Sequence, residues 1–161
     1  MEFTDVIKVR VSIRKYKTDP IPEEVFQKLY NALSLAPSGG NSQQFHFIFV
    51  RDRELRRKIV TEGCHQEYFF NAPLLVVGCC MPGKEFDVAI AMDHLILAAT
   101  NEGLGTCWAG GGIVQSEFSK ILGVPDGMIT PIFTPVGYAD EKPDAKPRKP
   151  LKELISTDGY K

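Results

Sequence analysis

The sequence lacks an excess of either charge, a long apolar run and any metal-ligand pattern, and each absence removes a class of function. Lys and Arg number 19 against 20 Asp and Glu, a net charge of -1. That balance excludes the strong basic bias of a nucleic-acid binder but leaves room for a local cationic pocket. The longest apolar stretch, residues 72–81 with one glycine, is far below the ~18 residues a membrane span needs. Residues 1–5 carry acids where an export signal needs bases, so a soluble, unexported, cytoplasmic chain is expected. The cysteines, Cys64, Cys79, Cys80 and Cys107, form no C-x-x-C and no zinc-ligand spacing, so reduced thiols and no metal are expected. There is no G-x-S-x-G, no H-E-x-x-H and no Walker lysine. Residues 103–108 share only the first two glycines of a dinucleotide fingerprint and follow a helical pattern instead of a strand, which rules out a Rossmann site. His46 and His94 have no carboxylate or cysteine at ligand spacing and read as satisfied core residues.

What is present is one domain's worth of ordinary globular chain. The 161 residues are 43% hydrophobic and 24% charged, too apolar for intrinsic disorder. A chain of this length buries roughly two-thirds of its unfolded surface and needs no disulfide or metal to fold. Phe3, Val6 and Ile7 make a short helical stripe. Pro22 with Glu23 and Glu24 opens a helix whose apolar residues recur at 3–4 spacing until Pro37. Residues 45–50 and 74–80 read as strands buried on both faces. Asp52 can cap a charged helix. Residues 88–99 are apolar almost all round, which predicts a helix packed centrally or against another subunit. Residues 115–122 form an amphipathic helix ended by Gly123. Residues 129–138 form a last strand that Pro131 and Pro135 push toward an edge. Strands separated by helices predict an α+β or α/β fold. Only residues 139–150, rich in proline and charge, shift in composition.

Three segments stand out against this background. In Arg10-Val11-Ser12-Ile13-Arg14-Lys15-Tyr16, the alternating Arg10, Ser12 and Arg14 share one side of an extended chain. Two guanidiniums and a hydroxyl there suit a phosphate or a polar ring edge. In Pro37-Ser38-Gly39-Gly40-Asn41-Ser42-Gln43, small residues permit close backbone approach and the amides can pair with a heterocycle. In Lys146-Pro147-Arg148-Lys149-Pro150, prolines lower the cost of ordering a cationic strip.

Together, in this order, these segments resemble the FMN-dependent nitroreductase family over nearly the whole chain. Arg10, Ser12, Arg14 and Tyr16 are similar to its opening R-x-S-x-R-x-Y, and residues 36–43 to its A-P-S-x-x-N-x-Q loop. Residues 87–108 are similar to its late helix and G-L-G-x-x-W segment. Gly137-Tyr138 with Lys146, Arg148, Pro150 and Leu151 is similar to its closing motif. Gln44 and Phe45 stand where the family commonly has Pro and Trp, and Val11 where a second arginine is common.

The resemblance implies an α+β fold with a mixed central sheet between helices, an intertwined homodimer, and one FMN-binding domain over residues 1–161 with an extended C-terminal segment, 139–161. It implies that Arg10, Val11, Ser12, Lys146 and Arg148 hold the phosphate and ribityl end of FMN, with Arg14 toward the pyrimidine edge. Pro37, Ser38 and Gly39 would come from the partner subunit, with Asn41 near the ring's polar edge or supporting that loop. Ala109, Gly110 and Gly111 would offer backbone amides, and a loop at Cys64-His65-Gln66 would lie near the ring. The implied activity passes a hydride from NAD(P)H through flavin N5 to nitroaromatic, quinone or similar small-molecule acceptors in ping-pong fashion, with no dedicated catalytic side chain. A non-catalytic FMN store, sensor or carrier is the competing expectation, and chemistry on one dedicated metabolite a third.

Overall fold

The computed structural model describes residues 1–110 and 115–160. Four strands form one antiparallel sheet in the order β1-β2-β4-β3, where β1 is Phe45–Val50, β2 Leu74–Cys80, β3 Gly105–Thr106 and β4 Ile129–Gly137. The helices are α1 (Phe3–Val9), α2 (Glu23–Ser34), α3 (Arg53–Lys58), α4 (Glu85–Asn101) and α5 (Gln115–Leu122). A π-helical turn, Ile59–Cys64, continues α3. The α+β expectation holds. Among the described residues, its mixed character is confined to one parallel bridge, between Ser12 and Thr106.

The sheet is the middle of three layers. Every residue of β2 is buried, and alternation sends its side chains to opposite faces. Leu74, Val76 and Cys80 join Leu29 and Leu33 of α2 and Met92 and Leu95 of α4. Leu75, Val77 and Cys79 join Ile59, Val60, Phe69 and Phe118 on the other side. Phe133 of β4 meets Phe118 and Phe69 at ring separations of 5.3 and 5.4 Å, inside the 4.5–7 Å range of favourable ring pairs. Asp52 caps α3 by accepting from the Leu55 N–H at 2.7 Å. Gly103, at φ +77°, turns the chain out of α4 toward β3. Among the described residues, no helix is long and apolar enough to cross a membrane.

Two expectations about the strands are corrected. The strand at residues 45–50 is an edge strand: Phe45, Phe47 and Phe49 are half-buried and His46 is exposed, so neither the strand nor this histidine belongs to a two-sided core. Proline did not push β4 to an edge, since it lies between β2 and β3. The reason is directional. Phe133 donates its N–H to Ala109, so by alternation the nitrogens of Pro131 and Pro135 face the same way, away from β2. On that side β3 is only two residues long, and the Cys107 N–H donates to the Thr134 hydroxyl at 3.2 Å in place of a ladder bond. The helix expected at residues 88–99 lies within α4 and is packed centrally along Val88, Ala91, Met92, Leu95, Ile96 and Ala99, while Phe86 and Ile90 of α4 are exposed.

Candidate functional site

Two distant segments of the chain meet at the Thr106 end of the sheet. Residues 10–16 run beside β3, with Ser12 bridged to Thr106 and the Ile13 N–H donating to the Thr106 carbonyl at 2.8 Å. Gly105 makes this close approach possible, because a Cβ there would lie 2.7 Å from Ile13 Cγ1. The C-terminal segment then pairs with the other edge of residues 10–16. Tyr16 is bridged to Ala139, the Lys17 N–H donates to Tyr138 and the Asp140 N–H donates to Lys15.

The result is a cleft with about 550 Å³ of open space, lined by Arg10, Val11, Ser12, Arg14, Pro143, Asp144, Lys146 and Arg148. Six of these are residues singled out in the sequence, and they come from opposite ends of the chain. Among the described residues, none of its four cationic side chains is in an ion pair. Cys107, which follows Thr106, is buried. Burial pushes its thiol above the usual range and Glu141 adds to the shift, while Arg14, a hydrogen bond with Ser12 and Arg10 pull against it. Unpaired guanidiniums beside a hydroxyl form a donor set for a phosphate, since they have no acidic partner to lose when an anion arrives.

The other predicted residues lie elsewhere. Ser38, Gly39 and Asn41 form a turn at the opposite end of the sheet, leading into Phe45, which faces Cys80. Ser12 lies at the Leu74 end, because Thr106 faces Val136 and Val136 faces Leu74. Six strand residues at ~3.3 Å each separate those ends by about 20 Å. The turn is internally braced. The Gln43 N–H donates to the Ser38 hydroxyl at 3.0 Å, and the Gln43 side-chain amide donates to Asn41 Oδ1 at 3.1 Å. The Gly39 N–H donates to the Asp87 carboxylate at 3.1 Å. Asn41 thus supports its loop here. Pro37, Gly39 and Asn41 are exposed. The Ala109 N–H donates to the Phe133 carbonyl at 3.1 Å, which leaves Gly110 as the next amide that segment can offer. Gly111 lies outside the described residues. Gln66 precedes a short helical turn, Glu67–Phe69, and is not among the cleft's lining residues.

Sequence reasoning missed Pro143, Asp144 and Glu141. Glu141 accepts hydrogen bonds from the backbone N–H groups of Arg14 and Lys15, the second at 3.0 Å. Nothing in the sequence set it apart from the neighbouring acids Asp140 and Asp144.

An antiparallel sheet between two helical layers, with an anion-ready cleft at one end and a braced, glycine-rich turn at the other, defines a class of α+β proteins to which several known ones correspond. The family model described as "Putative TM nitroreductase" matches residues 2–161. A "Putative NADH dehydrogenase/NAD(P)H nitroreductase" of Methanothermobacter thermautotrophicus is 31% identical over 156 residues, which cover 91% of this chain and 82% of that protein. The solved nitroreductase family protein of Clostridium novyi NT is 31% identical, with a TM-score of 0.81 over 88% of this chain and 87% of its own. The NADPH:FMN oxidoreductase of Vibrio harveyi, solved with NAD+, is 24% identical and shares the fold, with a TM-score of 0.92 over 99% of this chain and 78% of its own. The chain belongs to the nitroreductase family of oxidoreductases.

Proposed function

We propose that this protein is an FMN-dependent oxidoreductase that takes reducing equivalents from NAD(P)H and passes them to nitroaromatic, quinone or similar acceptors, acting as a homodimer in a reducing, cytoplasmic compartment. One observation carries the reading: Arg10, Ser12, Arg14, Lys146 and Arg148, drawn from both ends of the chain, line a single cleft. FMN carries a near-dianionic phosphate, and clustered Arg and Lys offset the cost of desolvating it through close, charge-assisted hydrogen bonds. The donor set therefore fits the group. Bound there, FMN would supply hydride-transfer chemistry between NAD(P)H and the acceptor in ping-pong fashion.

The side chains bind and orient. Arg10, Ser12, Lys146 and Arg148 hold the phosphate and ribityl end, with Val11 contributing backbone. Arg14 lies toward the pyrimidine edge, where a fixed guanidinium favours the negative charge of a reduced ring. Gly110 offers a backbone amide to the ring. Water supplies protons, so no side chain is assigned as acid or base.

Pro37, Ser38, Gly39 and Asn41 belong to the site of a second copy in this reading. Support comes from the ~20 Å that separates their loop from the cleft of their own chain. Further support comes from exposed apolar residues: Phe3 and Ile7 on α1, Phe86 and Ile90 on α4, and Leu151, Leu154 and Ile155 in the tail. A two-fold axis would bring one loop to the other cleft.

The test is an anaerobic absorption spectrum of the FMN-loaded protein. Bleaching of the flavin band by NADH or NADPH, and its return with a nitroaromatic or quinone, is expected. Tight FMN binding with no bleaching by either donor would establish a carrier or sensor in place of an enzyme.

A further inference from the structure

We propose that Glu141 is a positioning residue that latches the two walls of the basic cleft together and so sets its grip on a flavin phosphate. The inference rests on the reading of the cleft as the FMN phosphate site.

A carboxylate held against the backbone of Arg14 poses a problem, because an anion-binding cleft gains nothing from a nearby negative charge. The geometry resolves it. Glu141 pairs with none of the cleft's cations among the described residues and is turned instead onto the backbone, accepting from the N–H groups of both Arg14 and Lys15. Two main-chain donors satisfy its carboxylate, which makes no ion pair with the guanidiniums and leaves them to the ligand.

Its place in the chain is equally telling. Pairing between the N-terminal and C-terminal segments runs through Lys17 with Tyr138, Tyr16 with Ala139 and Lys15 with Asp140. Glu141 supplies the next link. Among the described residues, no hydrogen bond ties residues 142–149 to the body of the protein. Lys146 and Arg148 therefore take their position from Glu141 and from prolines 143 and 147, which restrict the chain beyond it. Without the latch, the C-terminal wall would still carry its charge but would sample many spacings from Arg10 and Ser12. Ordering it would then be charged against ligand binding.

Two conservative variants separate geometry from charge. Glu141→Asp keeps the carboxylate but withdraws it by one methylene from the two amides. Glu141→Gln keeps an acceptor oxygen at the same reach and removes the charge. The affinities of both for FMN and for riboflavin, which lacks the phosphate, would be measured by quenching of flavin fluorescence. Glu141→Asp should lose about tenfold in FMN affinity, the scale of one charge-assisted hydrogen bond. Glu141→Gln should stay within about threefold of the wild type. Riboflavin affinity should change in neither. Tighter FMN binding by Glu141→Gln would show that the carboxylate is only an opposing charge and would overturn the latch, even if Glu141→Asp failed to fold. Unchanged FMN binding by Glu141→Asp, or an equal loss for riboflavin, would overturn it as well. Failure of the underlying reading looks different: the wild type itself would then not prefer FMN to riboflavin.

Discussion

Gly105→Ala probes how packing, not charge alone, shapes the cleft. A methyl at Gly105 would sit 2.7 Å from Ile13 Cγ1, 2.9 Å from its Cβ and 3.1 Å from its Cγ2. Carbon atoms rest at roughly 3.5–4.0 Å, so Ile13 must retreat by about 1 Å. It has little freedom to do so. Ile13 is 5% exposed, its N–H is bonded to Thr106, and its branched side chain is stiff at χ1. Overpacking of this kind costs ~1–3 kcal/mol. At about 2 kcal/mol the melting temperature should fall by roughly 4–8 °C for a domain of this size. Ser12 and Arg14 flank Ile13, so the retreat displaces the cationic wall, and FMN affinity should fall about tenfold, as for one lost charge-assisted bond. Thermal melts followed by circular dichroism and flavin titration read the two effects. A melt within about 1 °C of the wild type, with full FMN affinity, would mean that residues 10–16 are not seated against β3 as described.

Other perturbations reach different links. Arg148→Ala should weaken FMN binding about tenfold and leave riboflavin binding unchanged, while Arg10→Ala, at a less exposed position, should cost more; titration at two salt concentrations reads both. Asp52→Ala removes the cap on the Leu55 N–H and should cost about 1 kcal/mol in urea denaturation without touching FMN affinity. Burial, with Cys80 beside it, pushes the Cys79 thiol up from 9.0 to about 11, so the folded state keeps a proton that the unfolded chain releases. Its contribution to stability is complete below pH 9 and is lost as the pH rises toward about 11, which denaturation across that range would detect; a flat profile would contradict it. In sedimentation the FMN-loaded protein should be a dimer, and a monomer that kept full FMN affinity would refute the shared site.

Local signals were legible wherever one stretch of sequence decided the outcome. Periodicity located α2, α4 and α5, Asp52 announced its cap, and the alternation of Arg10, Ser12 and Arg14 placed all three on one cleft wall. Failures occurred where a neighbour far along the chain decided. The run at residues 45–50 is as apolar as a buried strand, but its exposure depends on sheet order, which no local pattern encodes. The prolines of β4 signalled an edge because a missing N–H usually needs one; here β3 is too short to ask for those donors. Glu141 was invisible for a related reason. Its partners are backbone amides at the other end of the chain, and an amide carries no residue identity to read. Arg10 and Arg148 could be brought together in advance only through the family resemblance, since their spacing along the chain says nothing of their spacing in space.

Selectivity for a phosphate at the end of a flavin is what the cleft must deliver. Calorimetric titration of the wild-type protein with FMN and with riboflavin, at low and at high salt, measures that selectivity directly. FMN should bind far more tightly than riboflavin, and the gap should narrow as salt screens the four cations. Equal affinity for the two flavins at both salt concentrations would mean that Arg10, Arg14, Lys146 and Arg148 do not hold a phosphate at all.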